Sequence, residues 1–130
     1  MTQVRIREAA ELLGVSDDTL RRWVDDGRLE ATPDASGRLV VDGAQLAALA
    51  QERAHAPAPG ERHVSARNWF KGLVTRVVSD PVMSQVEMQC GPYRIVSLVS
   101  TEAVRELGLE PGALAAASVK ATNVVVERIS

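Results

Sequence analysis

Val64-Ser65-Ala66-Arg67-Asn68 opens the second half of the chain, and its reading decides what that half is. Five positions hold a hydroxyl, a guanidinium and a carboxamide, and Trp69-Phe70-Lys71-Gly72-Leu73-Val74 then reads as the start of a strand. Arg supplies forked charged donors, Asn a neutral NH₂ group and Ser a rotatable O–H. Such a donor set suits a small oxyanion better than a metal cation, which wants carboxylate, imidazole or thiolate. The same residues also fit a plain polar loop that leads into a strand, so the surrounding sequence has to choose between the two.

Downstream, residues 64–130 read as mainly β. Asp80-Pro81 breaks the first strand, which carries Leu73, Val74, Val77 and Val78. Gln85-Val86-Glu87-Met88-Gln89-Cys90 alternates polar and apolar, the pattern of a half-buried strand. Gly91-Pro92 marks a turn, and Tyr93 to Ser100 a third strand. Thr101 to Leu107 reads as a short helix stopped by Gly108, and Glu110-Pro111-Gly112 as a tight turn. Ala113 to Lys120 and Val124 to Ile129 complete about five strands and one helix, the order of a small OB-like barrel.

Upstream, Ala54-His55-Ala56-Pro57-Ala58-Pro59-Gly60 and the residues to His63 have the composition of a semi-stiff spacer. The expected division is therefore 1–53, a linker at 54–63, and 64–130. In the first part, Ala9, Ala10, Leu12 and Leu13 form an apolar stripe at helical spacing within Val4 to Leu13, and Gly14 stops that helix. Ser16 then reads as the N-cap of a second helix, with Asp17 and Asp18 in its first turn, running through Trp23 to Gly27. Two short helices joined in this way describe a helix-turn-helix. Leu29 to Val41, with a turn at Pro33, Asp34, Ser36 and Gly37, reads as a hairpin wing. Asp42 with Gln45 resembles a capping box for a third helix whose apolar face carries Leu46 and Leu49.

Composition narrows the function classes. The chain has 130 residues, 45% hydrophobic and 25% charged, a soluble globular balance with room for two small domains. Aromatics are only 3%, so the core is aliphatic and a stacking platform for single-stranded nucleic acid is disfavoured. Cys90 is the single cysteine, and His55 and His63 are the two histidines, both in the spacer, so neither a disulfide nor a zinc site is expected. No nucleophile–base pair points to catalysis. No apolar run approaches a membrane span of about 20 residues, and residues 1–5 lack the apolar run of a secretory signal. A cytoplasmic, non-enzymatic protein without a membrane partner is the expectation. The net charge of −2 hides an uneven arrangement. Residues 1–53 hold 7 Arg against 10 Asp or Glu, and residues 64–130 hold 7 basic against 6 acidic groups. Bulk charge therefore does not announce nucleic-acid binding.

Two resemblances sharpen these expectations. Ile6-Arg7-Glu8-Ala9-Ala10-Glu11-Leu12-Leu13-Gly14-Val15-Ser16, then Thr19-Leu20-Arg21-Arg22-Trp23 and Gly27-Arg28-Leu29, resemble the winged helix-turn-helix of MerR-type regulators and phage excisionases. That resemblance implies a second helix in the major groove, with Thr19, Arg21 and Arg22 facing DNA and Arg28 and Arg38 reaching phosphates. Trp23 is open to two readings, core or groove. Ser65-Ala66-Arg67-Asn68, Gly72-Leu73-Val74, Thr101-Glu102-Ala103-Val104, Leu107 to Gly112, and Val119-Lys120-Ala121-Thr122-Asn123-Val124 resemble the mop domain of molbindins and ModE-type regulators. It implies a molybdate or tungstate site between subunits, drawing on Ser65, Arg67, Asn68, Ser97, Ser100, Lys120, Ala121 and Thr122. It also implies a homo-oligomer formed through the mop domain, a dimer or a trimer of dimers. Family members often carry Ser where Ala121 stands, so one hydroxyl donor is missing while its backbone N–H remains.

The expected fold is thus α+β, a small winged helix-turn-helix followed by an OB-like five-stranded barrel. The leading functional expectation is a molybdate- or tungstate-responsive transcription regulator bound to DNA. The alternative is a storage or buffering protein whose helix-turn-helix serves assembly, which the acidic first half favours.

Overall fold

A computed structural model of the chain describes residues 2–54 and 64–129, and these form two compact units, one within Met1–His55 and one within Ala56–Ser130. The Ala/Pro spacer expected at 54–63 lies, apart from Ala54, outside the described residues.

The first unit contains β1 (Gln3–Arg5), α1 (Ile6–Leu13), α2 (Asp17–Asp25), β2 (Ala31–Pro33), β3 (Leu39–Asp42) and α3 (Gly43–Arg53). Alternation along Gln3-Val4-Arg5 turns Val4 inward, and its register partner Val41 and then Ala31 share that face. The helices close over it: Ala9, Ala10, Leu20, Trp23, Leu29, Leu46 and Leu49 pack with Val4 and Val41 into one aliphatic core. Trp23 is 7% exposed, which decides its role in favour of the core. Gly14 ends α1 at φ 67°, a left-handed cap that costs glycine nothing, and the Val15 N–H returns to the Ala10 carbonyl at 3.0 Å. Ser16 Oγ accepts the Thr19 N–H at 3.1 Å, the expected N-cap of α2.

Two local expectations are corrected. The first helix begins at Ile6 rather than Val4, because residues 3–5 are drawn into an edge strand beside β3. Asp42 precedes α3 without a side-chain cap bond, and Gln45 does not close a capping box. Its carboxamide oxygen instead accepts the Glu30 N–H at 3.1 Å, tying α3 to the chain that leads into the wing.

The second unit is an antiparallel sheet in the order β6-β5-β4-β7, built from β4 (Asn68–Ser79), β5 (Met83–Cys90), β6 (Tyr93–Ser100) and β7 (Leu114–Val119), with α4 (Thr101–Leu107) after β6. β4 is long enough to serve two partners. Asn68 to Leu73 pair with β7, and Leu73 to Ser79 pair with β5. A bulge between Val74 and Arg76 bends the strand where it changes partner, and the sheet curls. Gly72 sits at that crossing. A Cβ there would run into the Gln89 carbonyl oxygen and lie 2.6 Å from Cys90 Sγ. Val74, Val86, Met88, Cys90 and Val104 fill the concave side.

This α+β architecture is an OB-like half-barrel with one difference from the expected strand count. Val124 to Ile129 forms no ladder with the described residues, so the sheet has four strands among them. Its apolar side chains stand in solvent: Val125 is 93%, Val126 87% and Ile129 96% exposed. Between the edge strands β6 and β7 runs an apolar cavity of about 430 Å³ bordered by Met88, Ser97, Val99, Leu109, Leu114 and Ser118. Among the described residues no helix is long and apolar enough to cross a membrane.

Candidate functional site

Strand register brings together two of the three segments expected to form the oxyanion site. Asn68 is the first residue of β4 and pairs with Val119, the last residue of β7. Its Nδ2 donates to the Val119 carbonyl oxygen at 3.0 Å, across 51 positions of sequence. Ser65 and Arg67 lie just before this rung, and Lys120, Ala121 and Thr122 just after it, with Ala121–Asn123 forming a 3-10 turn. Ser65, Arg67, Lys120, Ala121 and Thr122 are all exposed, while Asn68 is half-buried. The Arg67 guanidinium donates to the Val64 carbonyl at 3.3 Å, which steadies it at the mouth of β4. Two cations, two hydroxyls and a carboxamide thus occupy one end of the sheet.

Ser97 and Ser100 come from the other edge. Ser97 pairs with Val86, and it borders the same cavity as Ser118, two residues before Lys120. The curl of the sheet, not sequence, creates that proximity. Ser100 pairs with Met83 and its Oγ accepts the Ala103 N–H at 3.1 Å, so it is also the N-cap of α4. An accepting cap leaves the hydroxyl proton available to a second acceptor. Among the described residues no cluster of His, Cys, Asp and Glu could hold a metal ion, and Cys90 is buried with its thiol 3.8 Å from the Phe70 carbonyl.

On the first unit, Arg21 and Arg22 project from α2 into solvent. Thr19 is half-buried, and its Oγ1 accepts the Ser16 hydroxyl at 3.0 Å. Arg28 is engaged elsewhere: its guanidinium bonds Glu52 at 3.2 Å and stands 5.6 Å from the centre of the Trp23 ring. Arg53 approaches the same ring at 5.1 Å. Arg38 is exposed at the end of the wing turn, whose shape is set by Asp34. One Asp34 oxygen accepts from Ser36 N, Ser36 Oγ and Arg38 N at 2.7 to 3.0 Å. Those bonds, the Ser36 hydroxyl foremost, hold its carboxyl below the usual carboxylate range, and the positive charge of Arg5 contributes. Arg5 is therefore a wing-side cation that sequence reading did not single out. Its signal, one outward position in a three-residue strand, is too short to recognise. Asp17, Asp18, Asp25 and Asp26 are exposed on the same helix or its end.

An antiparallel half-barrel preceded in the chain by a winged helix-turn-helix defines the class. Residues 64–126 match the TOBE domain and residues 4–54 match a Helix-turn-helix domain. The chain belongs to the TOBE-domain family of molybdenum-pterin-binding proteins. Molybdenum-pterin-binding protein 2 of Clostridium pasteurianum is 38% identical over 64 residues, 48% of this chain and 94% of that protein. The probable molybdenum-pterin-binding protein of Haemophilus influenzae is 42% identical over 64 residues, 48% of this chain and 93% of its own length. The high-resolution structure of a molybdate-binding protein from Sporomusa ovata aligns with a TM-score of 0.50 at 30% identity, covering 52% of this chain and all of that one. These relatives account for about half of the chain; the helix-turn-helix is additional to them.

Proposed function

We propose that this chain is a cytoplasmic, molybdate- or tungstate-responsive DNA-binding regulator, with the oxyanion held by the TOBE half and an operator by the winged helix-turn-helix. The observation that carries the reading is the rung between Asn68 and Val119, which sets Ser65 and Arg67 beside Lys120, Ala121 and Thr122. A tetrahedral dianion needs donors from several sides, and charge-assisted bonds from Arg67 and Lys120 are the strong ones. Hydroxyls and the Ala121 backbone N–H complete the shell, with the metal atom contacted only through its oxygens. The names of the relatives, which bind molybdenum-pterin or molybdate, support this ligand.

The site is shared between copies of the chain in this reading. Val124 to Ile129 exposes its valines and isoleucine while the seam between β6 and β7 stays apolar and open, so the tail of one copy covers the seam of another. Pairing through that seam builds a homo-oligomer, a dimer or a trimer of dimers, and the oxyanion stabilises it. Ligand binding then shifts DNA binding only through its differential affinity for the assembled form. Several copies of a weakly binding helix-turn-helix gain by effective concentration what one acidic module lacks.

Titration of the full chain with molybdate, tungstate and sulfate, paired with native mass measurement, tests the sensor. Selection of binding sites from random duplex DNA, with and without molybdate, tests the regulator. No uptake of either Group 6 oxyanion defeats the first claim. Uptake with no sequence-selective DNA binding defeats the second and leaves a storage or buffering protein. The exposed aspartates along α2 favour that second reading.

A further inference from the structure

A chain of buried hydroxyls lies under Ser100. Ser84 is 1% and Thr101 3% exposed in a unit whose core is small. Ser79 Oγ is 2.7 Å from Ser84 Oγ, and Ser84 Oγ is 2.8 Å from Thr101 Oγ1. Thr101 Oγ1 donates to the Asp80 carbonyl at 2.7 Å, and the Thr101 N–H donates to the Val82 carbonyl at 2.9 Å. The acceptors themselves are fixed. One Asp80 carboxylate oxygen accepts the Val82 and Met83 N–H groups, both at 2.7 Å, and the Asp80 N–H returns to the Met83 carbonyl at 2.9 Å. The turn between β4 and β5 therefore grips Thr101 through backbone and side chain at once.

Burying the two hydroxyls of Ser84 and Thr101 where methyl groups would serve hydrophobic packing needs a reason. Each is satisfied, so the chain is not a liability, but an apolar replacement of the same shape would stabilise the unit about as well. What the hydroxyls add is direction. Thr101 is stiff at χ1, and its two bonds set the backbone of the residue before it. That residue is Ser100, whose backbone pairs with Met83 and whose Oγ is occupied as acceptor by the Ala103 N–H.

We propose that Thr101 and Ser84 are positioning residues for the oxyanion site: their buried hydroxyl chain locks Ser100 so that its O–H is left to donate to the bound dianion. The inference rests on the oxyanion reading above. Partners that orient a ligating side chain are worth about 10- to 100-fold in affinity at metal sites, and a comparable effect is expected here.

The test is molybdate titration of the full chain as wild type and as Thr101→Val, Thr101→Ser, Ser84→Ala, Ser100→Ala and Val104→Ala, each with its urea midpoint. Thr101→Val and Ser100→Ala are expected to weaken molybdate binding by about tenfold, Ser84→Ala to weaken it less, and Thr101→Ser to restore it. Val104→Ala loosens the same helix from the core without touching the hydroxyls, and is expected to lower the midpoint while leaving affinity near wild type. Wild-type affinity in Thr101→Val, or an equal loss in Val104→Ala, overturns the positioning role. Should Thr101→Val fail to fold, Ser84→Ala against Val104→Ala makes the same comparison. Unchanged binding in Ser100→Ala overturns the inference and leaves the oxyanion reading standing. A wild-type chain that takes up no molybdate overturns both.

Discussion

Asn68 donates through Nδ2 to the carbonyl oxygen of Val119, 3.0 Å away, and this bond joins the first residue of β4 to the last of β7. The bond has a structural and a chemical consequence that substitution separates. Asn68→Ala removes it and is expected to cost about 1 kcal/mol of unfolding free energy. Asn68→Asp removes the same donor and adds a negative charge where a dianion is to be held. Both variants are expected to unfold at similar urea concentration. Oxyanion uptake, read by calorimetric titration, falls further in Asn68→Asp. Equal uptake in the two would place the ligand away from this rung.

Much of the fold was legible because short signals agreed with one another. Gly14 and Ser16 punctuate α1 and α2 as their chemistry requires, and the alternation from Gln85 to Cys90 matches the inward turn of Val86 and Met88. What sequence hid was partnership over distance. Gln45 three residues after Asp42 has the spacing of a capping box, but the Glu30 N–H, 15 residues back, takes its carboxamide. Arg28 reads as a phosphate contact, and nothing in the sequence announces its bond to Glu52 or its approach to the Trp23 ring. The fifth strand was expected from the apolar run at residues 124–129, yet apolar sequence does not supply a partner, and none of the described residues pairs with that run. Of the candidate site, the sequence put forward residues 65–68 and 120–122, which the pairing of Asn68 with Val119 brings to one rung, whereas the sharing of one cavity by Ser97 and Ser118 follows from the curl of β4.

The arginines of the first unit should separate by salt dependence. Arg21 is exposed on α2, while Arg28 is bonded to Glu52 and stands against Trp23. Arg21→Ala is expected to weaken DNA binding and to reduce the slope of log affinity against log salt by about 1. Arg28→Ala is expected to leave that slope unchanged. It should cost no more than about 1 kcal/mol of stability, because exposed ion pairs and cation–π contacts are each worth little. Fluorescence anisotropy across a salt series reads both. A reduced slope in Arg28→Ala would mean that the guanidinium leaves Glu52 for phosphate.

Acid should loosen the turn between β4 and β5 in a defined window. The Met83 and Val82 N–H bonds hold the Asp80 carboxyl below its usual range, so the folded state favours the ionised form. Its contribution is complete above the unfolded value of about 3.9 and is lost as pH falls through the lower folded value. Glu87, lowered chiefly by its bond to Arg94, behaves the same way. Asp80→Asn is expected to flatten the fall in urea midpoint between about pH 5 and pH 2. A wild-type acid slope in that variant would assign the window to other carboxylates.

Gly72 offers the sharpest test of the curled sheet. It is the residue of β4 beside the Gln89 carbonyl and the Cys90 thiol, and β7 pairs with it through Ala115. An added methyl group would press on backbone, which has no rotamer to escape into, so the strands must part. Overpacking of this kind costs about 1 to 3 kcal/mol, at the high end here because the obstacle is a carbonyl oxygen. Gly72→Ala is therefore expected to lower the urea midpoint of the second unit strongly. The first unit, with its own core around Leu20 and Trp23, should keep its Trp23 fluorescence transition. Trp23 and Trp69 lie one in each unit, so single-tryptophan variants report the two transitions separately. A second unit that accepts the methyl group without loss would mean that β4 and β5 do not approach as closely as the bend at Val74 requires.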